Sequence, residues 1–317
     1  MGRQPANRSK RLPDQVDEIL IESTEEFIPC PDNAYLAREY EDHVCYWQGH
    51  ADHAAAASYG ASLADLLLFA RHLAAYRMIS DRTAGKEVLD LGCFLGYGSR
   101  LLSMTAKTVT AVDMDESTVA YACGSTSASN VNFVNGDATS LGFRSGAFDA
   151  VIAFQLLEHM SGSGIDDLLD GALEVLRPGG ELFLVTPNRT SRLMPGQKPF
   201  NPEHVREFNA SELRRTLAPH GSFRIKGVTA PAWIVEVETA RVQRSAFNAY
   251  LKIPAARALK KLGISPMALK TGKNVSRPAF DPRQYLSEQK DPLLDSFILT
   301  DDTGRSAMDL FAVCVKA

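Results

Sequence analysis

The stretch EVLDLGCFLGYGS (87–99) constrains the fold of this chain more than any other segment. An apolar strand runs into a glycine-dense turn and then into a helix, and the next predicted strand, TVTAVD (108–113), ends in Asp113. Glycines let a backbone approach a ligand closely, and an acid about 20 residues further on can accept the hydroxyls of a ribose. The layout therefore predicts a nucleotide pocket. The glycine spacing differs from the G-x-G-x-x-G of nicotinamide-binding folds.

Strands and helices continue to alternate over the next hundred residues. The predicted elements are a strand in VNFVNGDA (131–138), a strand in FDAVIAFQLLEHM (148–160), a helix in DDLLDGALEVLRPGG (166–180) that its Pro-Gly-Gly turn ends, and a strand in ELFLVTPN (181–188). Such alternation implies right-handed crossovers and a parallel sheet, with the ligand at the carboxyl ends of the strands.

Four of these segments resemble the class I S-adenosylmethionine-dependent methyltransferases: DLGCFLGYGS, VDMD, NGDA and LRPGGELFLVTPN. The resemblance covers about residues 72–229 and the C-terminal strand. It implies an α/β fold with a doubly wound, seven-stranded, mostly parallel, Rossmann-like sheet. SFRIKGV (222–228) and DLFAVCVKA (309–317) are expected to be its antiparallel sixth and seventh strands.

Four regions are predicted along the chain. Residues 1–60 form an N-terminal tail and a helical lid, 61–229 the cofactor-binding core, 230–305 an inserted cap, and 306–317 the final core strand. The insertion contains a basic stretch, 241–273, with eight Lys or Arg and no Asp or Glu. A solvated helix face, a site for an anionic acceptor and a surface that docks on acidic membranes all remain open for it.

The resemblance implies a cofactor site for S-adenosylmethionine. Asp113 is expected to bind the ribose, with Asp115 as the cap of the following helix. Asp137 is expected to read the adenine edge, although a turn aspartate is the alternative. The full predicted set is Asp90, Gly92, Cys93, Gly96, Asp113, Met114, Asp137, Ala138, Phe154 and Gln155.

Phe94 departs from the family pattern D-x-G-x-G-x-G, which has glycine at its position. Its ring could point away from the cofactor, narrow the pocket, or face the sulfonium as an aromatic surface. This departure keeps a second class of function open, a cofactor-binding protein without transferase activity.

Methyl transfer requires alignment of the acceptor with the activated methyl group, and an acceptor hydroxyl also requires a base. The candidate bases are His204, His159 and Glu158. In the quinone O-methyltransferases an E-x-x-E-H run at this point resembles a metal site, but Gln155 replaces its first carboxylate here, so no metal is expected. A helix-start role for His159 and a structural role for His204 remain alternatives.

The run NPEHVREF (201–208) resembles a subgroup of bacterial methyltransferases that often accompany glycan or natural-product genes. The expected reaction is therefore O-methylation of a small polar acceptor, such as a sugar or a glycosylated metabolite. N- or C-methylation is the alternative within the class. The segment with His43, His50, His53, Tyr40, Tyr46 and Trp47 is expected either to cover the active site or to be an ordinary packed helical face.

Charge and composition exclude several other functions. A net charge of −4 and a pI near 6.0 argue against a nucleic-acid binder. No apolar run approaches the roughly 20 residues that a membrane span needs. The five cysteines form no C-x-x-C pair, which favours reduced thiols and a cytoplasmic location. The sequence leaves the oligomeric state open.

Overall fold

The structure, a computed structural model, describes residues 31–49, 60, 62–193, 197–199, 201–247 and 280–317. Its helices are α1 (Asn33–Gly49), α2 (Leu63–Arg77), α3 (Ser80–Thr83), α4 (Tyr97–Ser103), α5 (Glu116–Ser125), α6 (Gly162–Val175), α7 (Arg189–Arg192), α8 (Ala210–Leu217), α9 (Ala232–Phe247) and α10 (Pro282–Ser287). Its strands are β1 (Glu87–Leu91), β2 (Thr108–Asp113), β3 (Val131–Asn135), β4 (Phe148–Phe154), β5 (Leu176–Pro187), β6 (Arg224–Thr229), β7 (Ile298–Thr300) and β8 (Asp309–Val315). Short 3-10 helices cover Leu157–His159 and Leu293–Ser296.

The strands form one sheet in the order β3-β2-β1-β4-β5-β8-β6-β7. The pairings from β3 through β5 are parallel, whereas β8 is antiparallel to both β5 and β6. The α/β fold with a mostly parallel sheet and a helical N-terminal region is thereby confirmed. The ends of β1, β2 and β4 lie side by side, which is where ligands bind in such sheets.

The prediction of seven strands was wrong, because the described residues contain an eighth. β7 pairs antiparallel with β6 at the edge of the sheet, inside the region expected to be an insertion. Three residues, ILT, carry too little alternation to be recognised as a strand. Most of the basic stretch 241–273 lies outside the described residues.

The LRPGG segment also differs from its prediction as a turn that ends a helix. α6 ends at Val175 and β5 begins at Leu176, so this segment belongs to the strand. The register of β4 and β5 shifts there, and Gly179 has a φ of +78°. Gly180 lies so close to backbone that a Cβ would be 2.9 Å from the carbonyl oxygen of Arg177. The glycines thus form an irregularity within a strand.

Two apolar layers hold the sheet between helices. One face packs against residues of α1, α2, α4 and α10. The opposite face packs against α6 and α8. The predicted helix in ASLADLLLFARHLAAYRMI is α2, which begins after the cap Ser62. No helix in the described ranges is long and apolar enough to cross a membrane.

His220 joins the end of α8 to α6. Its Nδ1 lies 2.7 Å from a carboxylate oxygen of Asp170, and its Nε2 lies 3.0 Å from one of Asp166. Burial of the ring opposes ionisation, but the two aspartates together raise the pKa of His220. A group whose pKa is raised by folding stabilises the folded state below its unfolded pKa, and this contribution disappears as the pH rises through the folded pKa.

We therefore expect His220→Gln to reduce the free energy of unfolding more at pH 6 than at pH 8.5. The difference should stay below about 1 kcal/mol, because both carboxylates are exposed and screened by solvent. Urea unfolding of the wild type and the variant at both pH values measures it. An equal loss at the two pH values would show that the imidazolium contributes nothing.

Candidate active site

The glycine turn after β1 lies across the end of β2. Gly92 and Gly96 have φ values of +72° and +73°, which glycine adopts without strain. The backbone N–H groups of Gly92 and Cys93 both donate to the carbonyl oxygen of Val112. The turn is thus fixed to the neighbouring strand by its own backbone.

The carboxylate of Asp113 orients this turn and remains partly exposed. Its Oδ2 accepts the backbone N–H of Phe94 at 2.8 Å, and its Oδ1 accepts that of Asp115 at 3.0 Å. Asp115, as predicted, is the residue that caps α5, because its side chain accepts the N–H groups of Ser117 and Thr118. Asp113 is therefore not needed as the helix cap, and its partly exposed carboxylate lies at the end of β2.

The end of β3 lies next to Asp113. Gly136 donates its N–H to the carbonyl oxygen of Asp113, and Ala138 is half-buried just beyond it. Asp137 is exposed, and its Oδ1 accepts both the N–H and the hydroxyl of Thr139 at 2.8 Å. These bonds hold the pKa of Asp137 below its usual value. The side chain of Met114 is 79% exposed beside them.

Asp90 supports the turn from below. Its carboxylate is fully buried and accepts hydrogen bonds from Ser99 at 2.6 Å and from Tyr76 at 3.2 Å. Burial raises the pKa of Asp90 to about 7. Gly98 makes room for this arrangement, since a Cβ there would lie 2.2 Å from the ring of Tyr76. Asp90 thus connects α2, β1 and α4 beneath the turn.

The ring of Phe94 points toward α1. Its centroid lies 5.8 Å from that of His43, 5.9 Å from Tyr46 and 5.8 Å from Trp47. Within this cluster Trp47 donates its indole N–H to Nε2 of His43, and burial lowers the pKa of His43 to about 3, so the imidazole is neutral. His50 and His53 lie outside the described residues. α1 therefore covers the glycine turn through an aromatic contact.

Arg100 attaches α1 to the same turn by charge. One guanidinium nitrogen donates to the carbonyl oxygen of Leu95 at 2.8 Å, and another donates to Glu39 of α1 at 2.6 Å. The side chains of Arg100 and Glu39 are 11% and 6% exposed, so this pair is shielded from water. Removal of either partner would therefore leave a shielded charge without its counter-ion.

The backbone of Phe94 is strained, which predicts an unusual order of stability. Its φ is +48°, a conformation that glycine adopts freely and that side chains with a Cβ adopt at a cost of about 1–3 kcal/mol. Both Phe94→Gly and Phe94→Ala lose the ring, but only alanine retains the strain. We expect Phe94→Gly to be more stable than Phe94→Ala by about 1 kcal/mol. Urea unfolding of the two variants tests this.

Tyr46 provides the matched control, because it contacts Phe94 from the interior of a helix. There the usual order applies, and Tyr46→Gly should be less stable than Tyr46→Ala by about 1 kcal/mol. The same order at both positions would contradict the strained turn.

The end of β4 contains the second non-glycine residue of the described chain with positive φ. Gln155 has a φ of +53°, and its N–H donates to the carbonyl oxygen of Val185. Phe154, just before it, is buried, and Leu156, just after it, lies 3.0 Å from where a Cβ on Gly92 would be. Strained residues concentrate at functional sites. Phe94 and Gln155 both lie at the carboxyl ends of the parallel strands.

Glu158 and His159 lie on the 3-10 helix that follows. The Glu158 side chain is buried, and its Oε2 accepts the hydroxyl of Thr186 at 2.9 Å. Burial raises the pKa of Glu158 to about 8. His159 is exposed at the surface, yet burial of part of its ring and the nearby His204 lower its pKa.

The NPEHVREF loop brings His204 to these two residues. The N–H groups of Val205 and Arg206 donate to the carbonyl oxygen of Glu158, which fixes the loop to the 3-10 helix. The ring centroids of His159 and His204 are 4.9 Å apart in an edge-to-face arrangement. The three candidate bases, Glu158, His159 and His204, therefore lie next to one another.

Glu207 orients His204 from behind. Its Oε1 lies 2.9 Å from Nδ1 of His204, and the guanidinium of Arg192 lies 3.1 Å from its other oxygen. Burial opposes ionisation of Glu207, but these two partners hold its pKa below the usual range. An ionised carboxylate only accepts hydrogen bonds, so Nδ1 of His204 donates its N–H to Glu207, and Nε2 is the ring nitrogen that can act as a base or ligand.

A buried ionic cluster next to this loop has no signal in the sequence. Arg71 of α2 lies 3.2 Å from Glu238 of α9 and 3.1 Å from Asp309 at the start of β8, and all three side chains are at most 3% exposed. These residues come from distant segments, so only the folded chain brings them together.

The cofactor that the resemblance implies, S-adenosylmethionine, fits the site formed by the carboxyl ends of β1, β2 and β3. The fit depends on Phe94, because the family pattern has glycine at this position and a side chain there could narrow the pocket. The ring of Phe94 packs on α1. The positive φ of Gly92 and the partly exposed carboxylate of Asp113 complete a cradle suited to a nucleoside.

Parts of this chain are similar to known proteins. Residues 88–180 match the family described as a methyltransferase domain. A ubiquinone biosynthesis O-methyltransferase of Azotobacter vinelandii is 32% identical over 114 residues, which are 35% of this chain and 48% of that enzyme. The solved structure of the YcgJ protein from Bacillus subtilis aligns at 17% identity with a TM-score of 0.47, over 76% of this chain and 97% of that one.

One relative matches over most of its length. A probable S-adenosylmethionine-dependent methyltransferase of Mycolicibacterium smegmatis is 34% identical over 193 residues, which are 57% of this chain and 73% of the relative. On this match, the chain belongs to the S-adenosylmethionine-dependent methyltransferase family.

Proposed function

We propose that the protein transfers the methyl group of S-adenosylmethionine to an oxygen of a small polar acceptor, such as a sugar or a glycosylated metabolite. The observation that carries this proposal is the contact of His204 with both Glu207 and His159. This group lies beside Glu158 at the carboxyl end of the sheet, where the glycine turn also lies. An acceptor hydroxyl needs a base, and this group provides one. The resemblance of NPEHVREF to glycan-associated methyltransferases supports the acceptor class.

In this proposal the cofactor is held by the ends of three strands. Asp113 accepts the ribose hydroxyls, and Asp137 with the N–H of Ala138 contacts the adenine, which Met114 flanks. Gly92 and Cys93 contact the methionine part through their backbone, with Phe154 and Gln155 at the end of β4 opposite. Asp90 and Gly96 act as positioning residues, since Asp90 bonds to Tyr76 and Ser99, and a Cβ on Gly96 would lie 2.5 Å from Phe133.

When bound, S-adenosylmethionine supplies an activated methyl group, so the protein must align the acceptor, exclude water and accept a proton. Nε2 of His204 accepts the hydroxyl proton, and Glu207 stabilises the imidazolium that forms. His159, neutral because its pKa is lowered, lies against His204 as the alternative acceptor of that proton. Glu158, the third candidate base, lies buried beside the two histidines and accepts the hydroxyl of Thr186.

Methyl transfer to a panel of acceptors tests the proposal. The full chain is incubated with S-adenosylmethionine carrying a labelled methyl group and with sugars, nucleotide-linked sugars, glycosides or amines. Label on a sugar oxygen, with formation of S-adenosylhomocysteine, supports the proposal. Label only on amines would replace it with N-methylation. Cofactor binding without turnover on any acceptor would favour a binding protein.

A further inference from the structure

Three potential metal ligands converge at the carboxyl end of the sheet. Glu158 and His159 come from the 3-10 helix after β4, and His204 comes from the loop before α8. One oxygen or nitrogen atom of each lies within 4.8 Å of the other two. Tetrahedral zinc with bonds of about 2.0–2.2 Å holds its ligands roughly 3.4 Å apart, so small side-chain rotations would close this group around an ion.

The buried carboxylate provides an independent sign of a missing partner. Oε2 of Glu158 accepts a hydrogen bond from Thr186, but Oε1 is buried without a hydrogen-bond partner among the described residues. A buried polar atom without a partner costs about 1–3 kcal/mol, and native structures seldom retain one without a reason. A bound cation would satisfy this oxygen.

The surroundings of His204 match those of a metal ligand. Histidines that bind metals usually donate their other ring N–H to a carboxylate, which fixes the ring and its tautomer. Here Nδ1 of His204 donates to the carboxylate of Glu207, which also accepts a hydrogen bond from Arg192. Nε2 of His204 is thereby prepared to bind an ion.

We propose that Glu158, His159 and His204 form a binding site for a divalent transition-metal ion of the zinc class. Two imidazoles and one carboxylate suit zinc or cobalt, whereas magnesium prefers oxygen ligands. Three protein ligands leave a fourth position open, as in catalytic zinc sites. The sequence led us to expect no metal because Gln155 replaces a carboxylate, but His204 supplies the third ligand from another segment.

The role of the ion in catalysis rests on the proposed function, whereas its binding does not. The ion would bind the acceptor hydroxyl at its open fourth position. This would lower the pKa of the hydroxyl, so that the proton leaves to water. The oxygen would then bond to the methyl carbon as the carbon–sulfur bond breaks, which releases S-adenosylhomocysteine. In this form His204 acts as a ligand, and no side chain is needed as a base.

Metal titration of the untagged, chelator-treated full chain tests the site without measuring turnover. Co²⁺ is added while the visible absorption of a tetrahedral centre is followed, and Zn²⁺ binding is measured by calorimetry, with Mg²⁺ as the hard-cation comparison. We expect one ion per chain, weakened at least 10-fold by His159→Ala and by His204→Ala. Glu207→Gln should weaken binding about 10–100-fold through the orientation of His204.

Two controls keep the outcome decisive. His159 is exposed, so His159→Ala should fold normally, and circular dichroism verifies each variant. His220→Ala removes a histidine that lies against aspartates elsewhere and should bind the ion like the wild type. Unchanged affinity in both His159→Ala and His204→Ala, or no ion bound to the folded wild type, would overturn the site. An ion without methyl transfer would overturn the proposed function alone, and transfer without an ion would overturn only the metal site.

Discussion

Asp113→Ala is expected to weaken S-adenosylmethionine binding by at least 100-fold. Hydrogen bonds to a charged group contribute about 1.5–3 kcal/mol each, and the carboxylate can accept two ribose hydroxyls. The substitution also removes the acceptor for the N–H of Phe94, which loosens the glycine turn. Calorimetric titration of both proteins with S-adenosylmethionine and S-adenosylhomocysteine measures the loss.

Asp115→Ala is the matched control, because it removes a nearby carboxylate that caps α5. It should cost about 1 kcal/mol of stability and leave the affinity for the cofactor within a few-fold. If Asp113→Ala binds as tightly as the wild type, the ribose lies elsewhere. If both variants lose binding equally, the effect belongs to the start of α5 and not to a ribose contact.

His204→Ala is expected to lower kcat by about 10²–10⁴-fold while the affinity for the cofactor stays unchanged. A positioned base contributes a factor of this size to transfer of a hydroxyl proton. The prediction holds whether His204 accepts the proton or binds an ion that acidifies the hydroxyl, since both roles need its Nε2. Single-turnover assays with the best acceptor, together with cofactor titration, separate the two parameters.

Two further variants show whether the loss is specific. Glu207→Gln keeps the shape of the side chain but removes the charge next to Nδ1 of His204, so it should lower kcat less than His204→Ala. His220→Ala should retain full activity, because the ring nitrogens of His220 bond to Asp170 and Asp166 of α6 and not to the candidate bases. Unchanged kcat in His204→Ala would exclude the histidine from the reaction and favour an acceptor that needs no base.

Local sequence was sufficient for the parts of the site that lie within one strand and its turn. The glycine turn, Asp113 at the end of β2 and Asp115 as the helix cap depend on residues close in sequence, and their placement in the structure agrees with the pattern. The start of α6 was missed because Gly162 and Gly164 resemble a loop. Tertiary packing overrode their weak helix propensity.

Contacts between distant segments could not be predicted from the sequence. Tyr76 bonds to Asp90 only because α2 packs over the turn, and Arg71 meets Asp309 only when β8 enters the sheet. Nothing in the local pattern distinguishes such residues from ordinary helix or strand positions. The pairing of His204 with His159 is of the same kind, since a loop must fold back before the two rings meet.

Phe94 belongs to the glycine turn and also to the aromatic surface of α1, so the two cannot move independently. Thermodynamic linkage makes such a connection reciprocal. A ligand that requires the present shape of the turn holds α1 in place by the same free energy that α1 contributes to the affinity for the ligand. With the cofactor bound at this turn as proposed, the first helix and the cofactor would be effectors of one another, and a partner that drew α1 away would release the cofactor without touching its pocket.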